Sequence, residues 1–111
     1  MGATTGTTGD LPLARRLREP LDDRFTQSFT IAEAAHLLGA HPSHLARTFA
    51  HAYGIPPHRY VTGRRVGLAR HLLLDGTSPA DAAFAVDFHD QARLTRHFRH
   101  VLGTTPGTFA A

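Results

Sequence analysis

The chain has 111 residues, of which 41% are hydrophobic, and no cysteine. This length allows one domain with a modest core, and the lack of cysteine excludes a disulfide framework and a thiolate zinc site. No run approaches the ~18 apolar residues of a membrane span, and the N-terminus lacks the layout of a signal peptide, so we expect a cytoplasmic protein without a membrane partner. All twelve basic side chains are Arg, and residues 41–111 hold eight of them against four acids, which indicates a polyanion partner.

The N-terminal part of the chain is predicted to contain a tail and a first helix. Residues 1–10 are mostly Gly and Thr, which favours a disordered tail or linker remnant, and we assign residues 11–111 to one domain. Pro20 is expected to kink or split the first helix, because it removes a backbone donor. The apolar stripe of this helix recurs every four residues, at Leu13, Leu17, Leu21 and Phe25.

A helix-turn-helix pattern covers about residues 30–54. Thr30 and Glu33 have the spacing of a capping box at the start of the second helix, and Gly39 suits its left-handed end. The third helix starts near Pro42, since proline is favoured at the first helical position. Its inner face is predicted to consist of Leu45, Phe49 and Ala52.

The pattern returns after a long linker helix, which we place at about residues 57–75. The second helix-turn-helix pattern covers about residues 78–102, with Ser78 as the cap of a short fifth helix and Asp90 near the start of the sixth. A last short turn ends at Phe109. No segment alternates as a strand would, so the predicted fold is all-α.

The two patterns are copies of one supersecondary unit. The stretch that begins at Leu45 is echoed by the stretch that begins at Leu94, and Leu, Arg, Phe, His, Gly and Pro recur at an offset of 49 residues. Two copies are too few for a solenoid. When a basic protein contains two copies of one module, each copy usually binds its own site on the partner.

The second helix of each copy has an outer face that is free to enter a DNA groove. With ~100° per residue, the apolar residues of each helix turn inward and leave one polar face outward. Any surface helix has such a face, but two in register across a repeat favour the helix-turn-helix plan, in which the second helix reads the major groove. The outward residues are Ser43, Ala46 and Arg47 in the third helix and Gln91, Ala92, Thr95 and Arg96 in the sixth.

Residues about 12–110 resemble the DNA-binding domain of the AraC/XylS family of bacterial transcription regulators. The resemblance implies seven helices in two helix-turn-helix subdomains joined by a linker helix, with two recognition helices in successive major-groove segments. The motifs that carry it are Leu45-Ala-Arg47-Thr-Phe49, Gly54-Ile-Pro-Pro57-His-Arg-Tyr60, Arg65-Val66 with Ala69-Arg70, Asp90-Gln91, Leu94-Thr95-Arg96-His97-Phe98 and Gly103-Thr-Thr-Pro106.

The same resemblance implies which residues contact DNA. The family's base-contacting positions fall on the seven outward residues named above, where Arg47 is expected to bind guanine and Gln91 adenine. Thr30, Ser78 and Arg99 are candidates for phosphate contacts. The implied partners are double-stranded DNA and, for an activator, RNA polymerase, and we expect this chain to bind as a monomer.

Some positions depart from the family pattern. The usual Gly of the second turn is Asp87, and Asp tolerates a left-handed conformation less well, so we expect the second unit to be less rigid than the first. His41, His89 and Pro56 stand where Ser or Thr caps are usual. Arg65 is predicted to be structural and paired with Asp81 or Asp87.

Other classes of function have weaker support. A basic helical module that binds an acidic protein remains the alternative to specific DNA binding. No paired carboxylates or activated nucleophile indicate an enzyme, and the His pairs at i, i+3 lack a third ligand for a metal, so no cofactor is expected. The family usually adds a sensor domain, so the chain is either a fragment of a longer regulator or a stand-alone single-domain member.

Overall fold

The computed structural model describes the backbone of residues 2–109 and the side chains of residues 11–109. Within those limits every regular element is helical, which confirms the all-α fold, and no helix is long and apolar enough to cross a membrane. The elements are α1 (Gly2–Arg24), α2 (Ile31–Leu38), α3 (Pro42–Tyr53), α4 (Pro57–Leu74), α5 (Pro79–Ala85), α6 (Gln91–Leu102) and a 3₁₀ turn (Pro106–Thr108).

The helix count corrects the implied seven to six, plus the 3₁₀ turn. The amide of Phe109 donates to the carbonyl of Pro106 at 3.0 Å, which is the i→i+3 bond of a 3₁₀ helix rather than of an α-helix. The last element is therefore a single tight turn.

Helix α1 differs from its prediction at both ends. The backbone is helical from Gly2, within the segment of residues 1–10 that the sequence predicted to be a disordered tail or linker remnant. These weak helix formers continue a helix anchored further along, and each added residue contributes one backbone hydrogen bond. The helix also runs through Pro20 unsplit, and it ends before Phe25.

The chain forms two compact units, and the first comprises residues 2–24 and 29–61 of the described backbone. Helix α1 packs mainly against α3. Ala52, predicted on the inner face, is exposed, because Tyr53 fills that face of the last turn by packing its ring 4.7 Å from Phe49. The core consists of Leu17, Leu21, Ala34, Ala35, Leu45 and Phe49.

A polar contact also fastens the start of α4 to α1 in this unit. The hydroxyl of Tyr60 donates to the carboxylate of Asp22, and the guanidinium of Arg18 lies 6.0 Å from the centre of the Tyr60 ring. Burial raises the pKa of Tyr60, and the hydrogen bond to Asp22 adds to the effect.

The second unit comprises residues 25–28 and 62–109 of the described chain. Phe98 of α6 is fully buried and meets Phe109 edge to face, with 5.5 Å between the ring centres. Phe109, which follows the 3₁₀ turn, therefore packs against this core. Its buried members are Val66, Ala69, Leu73, Ala82, Ala83, Val86, Phe88, Leu94 and Phe98.

Candidate nucleic-acid interface

The capping box and the left-handed glycine predicted for the first helix-turn-helix are both present in the structure. The amide of Glu33 donates to Oγ1 of Thr30 at 3.1 Å, and the amide of Thr30 donates to Oε1 of Glu33 at 3.3 Å. This reciprocal pair confirms the capping box at the start of α2. Gly39 ends α2 with φ +64°, the left-handed conformation that sets the turn.

The start of α3 uses histidine in place of the usual hydroxyl cap. Nδ1 of His41 accepts a hydrogen bond from the amide of Ser43 at 3.2 Å, and Pro42 occupies the first helical position. Of the three predicted contacts on this helix, Ser43 and Arg47 are exposed and Ala46 is partly buried. They share the outward face of α3, opposite the buried Leu45.

The turn of the second helix-turn-helix adopts the same conformation with a different residue. Ser78 caps α5 by accepting from the amide of Asp81 at 3.2 Å. Asp87 has φ +64°, identical to Gly39, and is the only non-glycine residue with positive φ in the described backbone. Asp87 is therefore left-handed, as its place in the repeat predicts, and it bears the steric cost that glycine avoids.

Asp87 has two polar partners inside its own unit. Oγ of Ser28 donates to its carboxylate at 3.1 Å, and Nη2 of Arg65 lies 3.4 Å from the same oxygen. Of the two partners predicted for Arg65, Asp87 is the one observed. Burial lowers the pKa of Arg65, and the carboxylate of Asp87 opposes that effect.

The cap of α6 corrects one prediction. His89 was expected to stand at the cap position, but the N-cap is Asp90, whose carboxylate accepts from the amide of Arg93 at 2.7 Å. A short carboxylate reaches the third amide of a helix readily, and its charge suits the positive end of the helix dipole.

Four predicted contacts on α6 lie together in one open groove. Gln91, Ala92 and Arg96 are exposed, and Thr95 is partly buried with its hydroxyl donating to the carbonyl of Gln91 at 2.9 Å. The groove also includes Arg99, a candidate for phosphate contact from the family resemblance. We name this surface the α6 groove; its lining residues are Gln91, Ala92, Thr95, Arg96 and Arg99.

The other phosphate candidates have different surroundings. The hydroxyl of Thr30 already donates to the carboxylate of Glu33 at 3.1 Å, so an approaching phosphate would meet a negative neighbour there. The hydroxyl of Ser78 accepts from the backbone of α5, and its hydrogen remains available as a donor. Ser78 is therefore the better placed of the two caps.

His97 is a structural residue in this unit. Its ring stacks on Phe88 with 5.1 Å between the ring centres. Burial lowers the pKa of His97, and the positive charge of Arg96 lowers it further. The lowered pKa disfavours the positively charged form of this ring. Among the described side chains, no three potential ligands gather in a metal-binding group.

Comparisons with known proteins agree with this architecture. A family model described as a helix-turn-helix domain matches residues 34–111. The virulence regulon transcriptional activator VirF of Yersinia enterocolitica is 29% identical over 92 residues, which cover 82% of this chain. The chain spans only 34% of the length of that activator, and 28% of another curated relative, a Bacillus subtilis regulator.

Two solved structures have the same fold. The C-terminal domain of AraT, a response regulator from Geobacillus stearothermophilus, superposes with a TM-score of 0.83 at 26% identity, covering 88% of this chain and 83% of that one. The DNA-binding domain of the global transcriptional factor AdpA, solved with a target DNA, has a TM-score of 0.75 at 25% identity and covers 88% of both chains.

Proposed function

Because the chain belongs to the AraC family of helix-turn-helix DNA-binding domains, we propose that it regulates transcription by reading base edges with α3 and α6. The seven residues proposed to contact bases are Ser43, Ala46, Arg47, Gln91, Ala92, Thr95 and Arg96. Each helix is proposed to enter a major groove, where the donor and acceptor pattern of every base pair is distinct.

The observation that carries this proposal is the composition of the α6 groove. Two guanidinium groups and one amide lie along one face of the second helix of a helix-turn-helix, and the described residues that line this groove include no acid. Arg96 supplies the donor fork that fits guanine, and Gln91 supplies the amide that fits adenine. We add Arg99 as a base or phosphate contact, since it lies one turn beyond Thr95 in the same groove.

The outward face of α3 carries fewer polar groups than the α6 groove, so we propose fewer polar contacts with DNA for it. Arg47 is its one guanidinium, and we assign it a guanine. Ser43 is exposed in the first turn and suits a base or phosphate contact. Ala46 forms no hydrogen bonds through its side chain and fits a thymine methyl.

The proposed partners and setting follow from the regulatory role. We propose that the chain acts in the cytoplasm, where bacterial DNA lies, and that it activates transcription with RNA polymerase as second partner. The name of the VirF relative supports activation.

The two units differ in sequence, so we propose a monomer bound to an asymmetric site. Sedimentation of the protein–duplex complex should give 1:1 stoichiometry, and an obligate 2:1 complex would contradict this proposal.

The experiment that tests the function is selection of binding sites from a random duplex library. We expect a defined site to emerge, and its affinity to fall steeply with salt because phosphate contacts release counterions. An acidic-protein module, the alternative, would enrich no site and would bind random DNA weakly. Arg96→Ala and Gln91→Ala should each lose preference at particular base pairs, whereas Arg70→Ala, an exposed arginine outside both reading faces, should keep the selected sequence.

A further inference from the structure

The turn between α5 and α6 contains a residue that its conformation disfavours. Asp87 and Gly39 occupy equivalent places in the two copies and share a φ of +64°. Gly39 adopts this conformation without steric cost, whereas Asp87 requires compensation from its surroundings. The side chain of Asp87 therefore calls for a role that glycine would not fill.

Contacts to the Asp87 carboxylate come from two distant parts of the second unit. Ser28, 59 residues earlier in the chain, donates its hydroxyl at 3.1 Å. Arg65 of α4 lies at 3.4 Å with its side chain only 18% exposed. A hydrogen bond to a charged group is stronger than one between neutral groups. The two donors thus stabilise the turn in its left-handed form.

Arg65 connects this turn to further backbone. Its Nε donates to the carbonyl of Phe25, and its Nη2 donates to the carbonyl of Gln27 at 3.1 Å. The guanidinium also lies 5.8 Å from the centre of the Phe88 ring. One side chain therefore holds the 25–28 segment and the turn together.

Phe88 transmits this arrangement to the reading helix. It is 5% exposed, and its ring stacks on His97 of α6 with an interplanar angle of 14°. His97 is adjacent in sequence to Arg96 of the α6 groove. A shift of the turn would therefore displace the face that carries Gln91 and Arg96.

We propose that Ser28, Arg65 and Asp87 form a clasp that sets the orientation of α6 against DNA, so that the three are positioning residues for sequence readout. None of them lines the α6 groove. The proposal rests on the proposed function of α6 as a reading helix. It assigns to the second unit a device that the first unit, with Gly39 in its turn, does not use.

The clasp reverses the effect expected of glycine at position 87. From sequence, Asp87→Gly relieves backbone strain and removes a negative charge near DNA, so it should strengthen specific binding. In the structure it also leaves a partly buried guanidinium without its carboxylate and Ser28 without its acceptor. Asp87→Gly removes two hydrogen bonds to a charged group and relieves the strain of one left-handed residue, so we expect specific binding to weaken.

The test measures discrimination at each base pair for Asp87→Gly, Asp87→Asn and Ser28→Ala on the selected duplex. Base pairs read by α6 are identified beforehand as those that lose preference in Arg96→Ala. Asp87→Gly should reduce discrimination at these pairs about tenfold, which is within the range of one base contact. Asp87→Asn should recover most of it, since Asn tolerates left-handed φ and keeps an acceptor oxygen.

Two further measurements separate positioning from general stability. Ser28→Ala combined with Asp87→Gly should lose no more discrimination than Asp87→Gly alone, because both act on one contact. Hydrogen exchange of the Phe88 and Arg93 amides should rise in Asp87→Gly while that of Ser43 stays unchanged. The matched control is Asp81→Asn, which removes an exposed acid of α5 outside the clasp.

The outcomes are distinct. Undiminished discrimination in Asp87→Gly would overturn the clasp, and so would an equal loss at the pairs read by α3 and by α6. A wild-type chain without preference for any duplex would instead overturn the proposed function, and the readout role of the clasp with it.

Discussion

Arg47→Ala is the most informative single change on α3. Arg47 is exposed, and among the described side chains no hydrogen bond or ion pair engages it. Its truncation should therefore change the free energy of unfolding by no more than about 0.5 kcal/mol, as at other surface sites without special features. A loss of binding free energy that exceeds this change in stability would therefore report a contact between Arg47 and DNA.

The expected loss on DNA is about 1–3 kcal/mol at the selected site, the range for a bidentate contact with guanine. This corresponds to roughly 5-fold to 150-fold in the dissociation constant. The assay is a set of binding curves on the selected duplex, on variants with single base-pair changes, and on scrambled DNA. Discrimination should relax at one or two adjacent base pairs and persist elsewhere.

The matched control is Arg15→Ala, which removes the same charge from an exposed position of α1 in the same unit. We expect Arg15→Ala to weaken binding to the selected and the scrambled duplex equally, and by less than Arg47→Ala weakens binding to the selected duplex. If Arg47→Ala lowered the affinity for both duplexes equally, Arg47 would be a phosphate contact, and its assignment to a base would be refuted.

Three further predictions concern stability. His97 has a lowered pKa in the folded chain, so the unfolded state binds a proton at this residue more readily as the pH falls through about 6.5. The free energy of unfolding, measured in urea, should therefore fall from pH 7.5 to 5.5, and it should fall less in His97→Gln. An equal dependence of this free energy on pH in both proteins would contradict the burial of this ring. Phe98→Ala should lower the free energy of unfolding by about 3–5 kcal/mol, measurable by urea melts, and a loss below about 1 kcal/mol would deny that Phe98 is a core residue. Tyr60→Phe should cost about 1 kcal/mol by removing the hydrogen bond to Asp22; in a thermal melt, an unchanged midpoint would show that the bond contributes nothing.

Features that depend on a few neighbouring residues could be predicted from the sequence. The capping box of Thr30 and Glu33 and the left-handed turn at Gly39 both form within four residues along the chain. The face arithmetic on α6 is equally local, and it grouped Gln91 with Arg96. The same ~100° rule places Arg99 within that face, so its place in the groove is predictable from the sequence.

Features that depend on distant contacts could be predicted only in part. Arg65 was restricted to two carboxylates, and the fold selects Asp87. The role of Ser28 had no local signal, because its partner lies 59 residues away. The expectation of a less rigid second unit therefore omitted Ser28, one of the two donors that hold its turn.

Helix α1 shows a limit of reasoning from composition. Gly and Thr are poor helix formers, yet the backbone of residues 2–10 is helical. Composition ranks the intrinsic preference of a segment, but it does not include a neighbouring helix that is already anchored by its core residues.

The most direct test of the central claim is protection of guanine N7 from methylation on the selected duplex, since N7 is exposed in the major groove. We predict two separate protected blocks, one lost in Arg47→Ala and the other in Arg96→Ala. A complex that protects the sugar–phosphate backbone but no guanine N7, or in which neither variant alters the protection, would contradict base reading by α3 and α6.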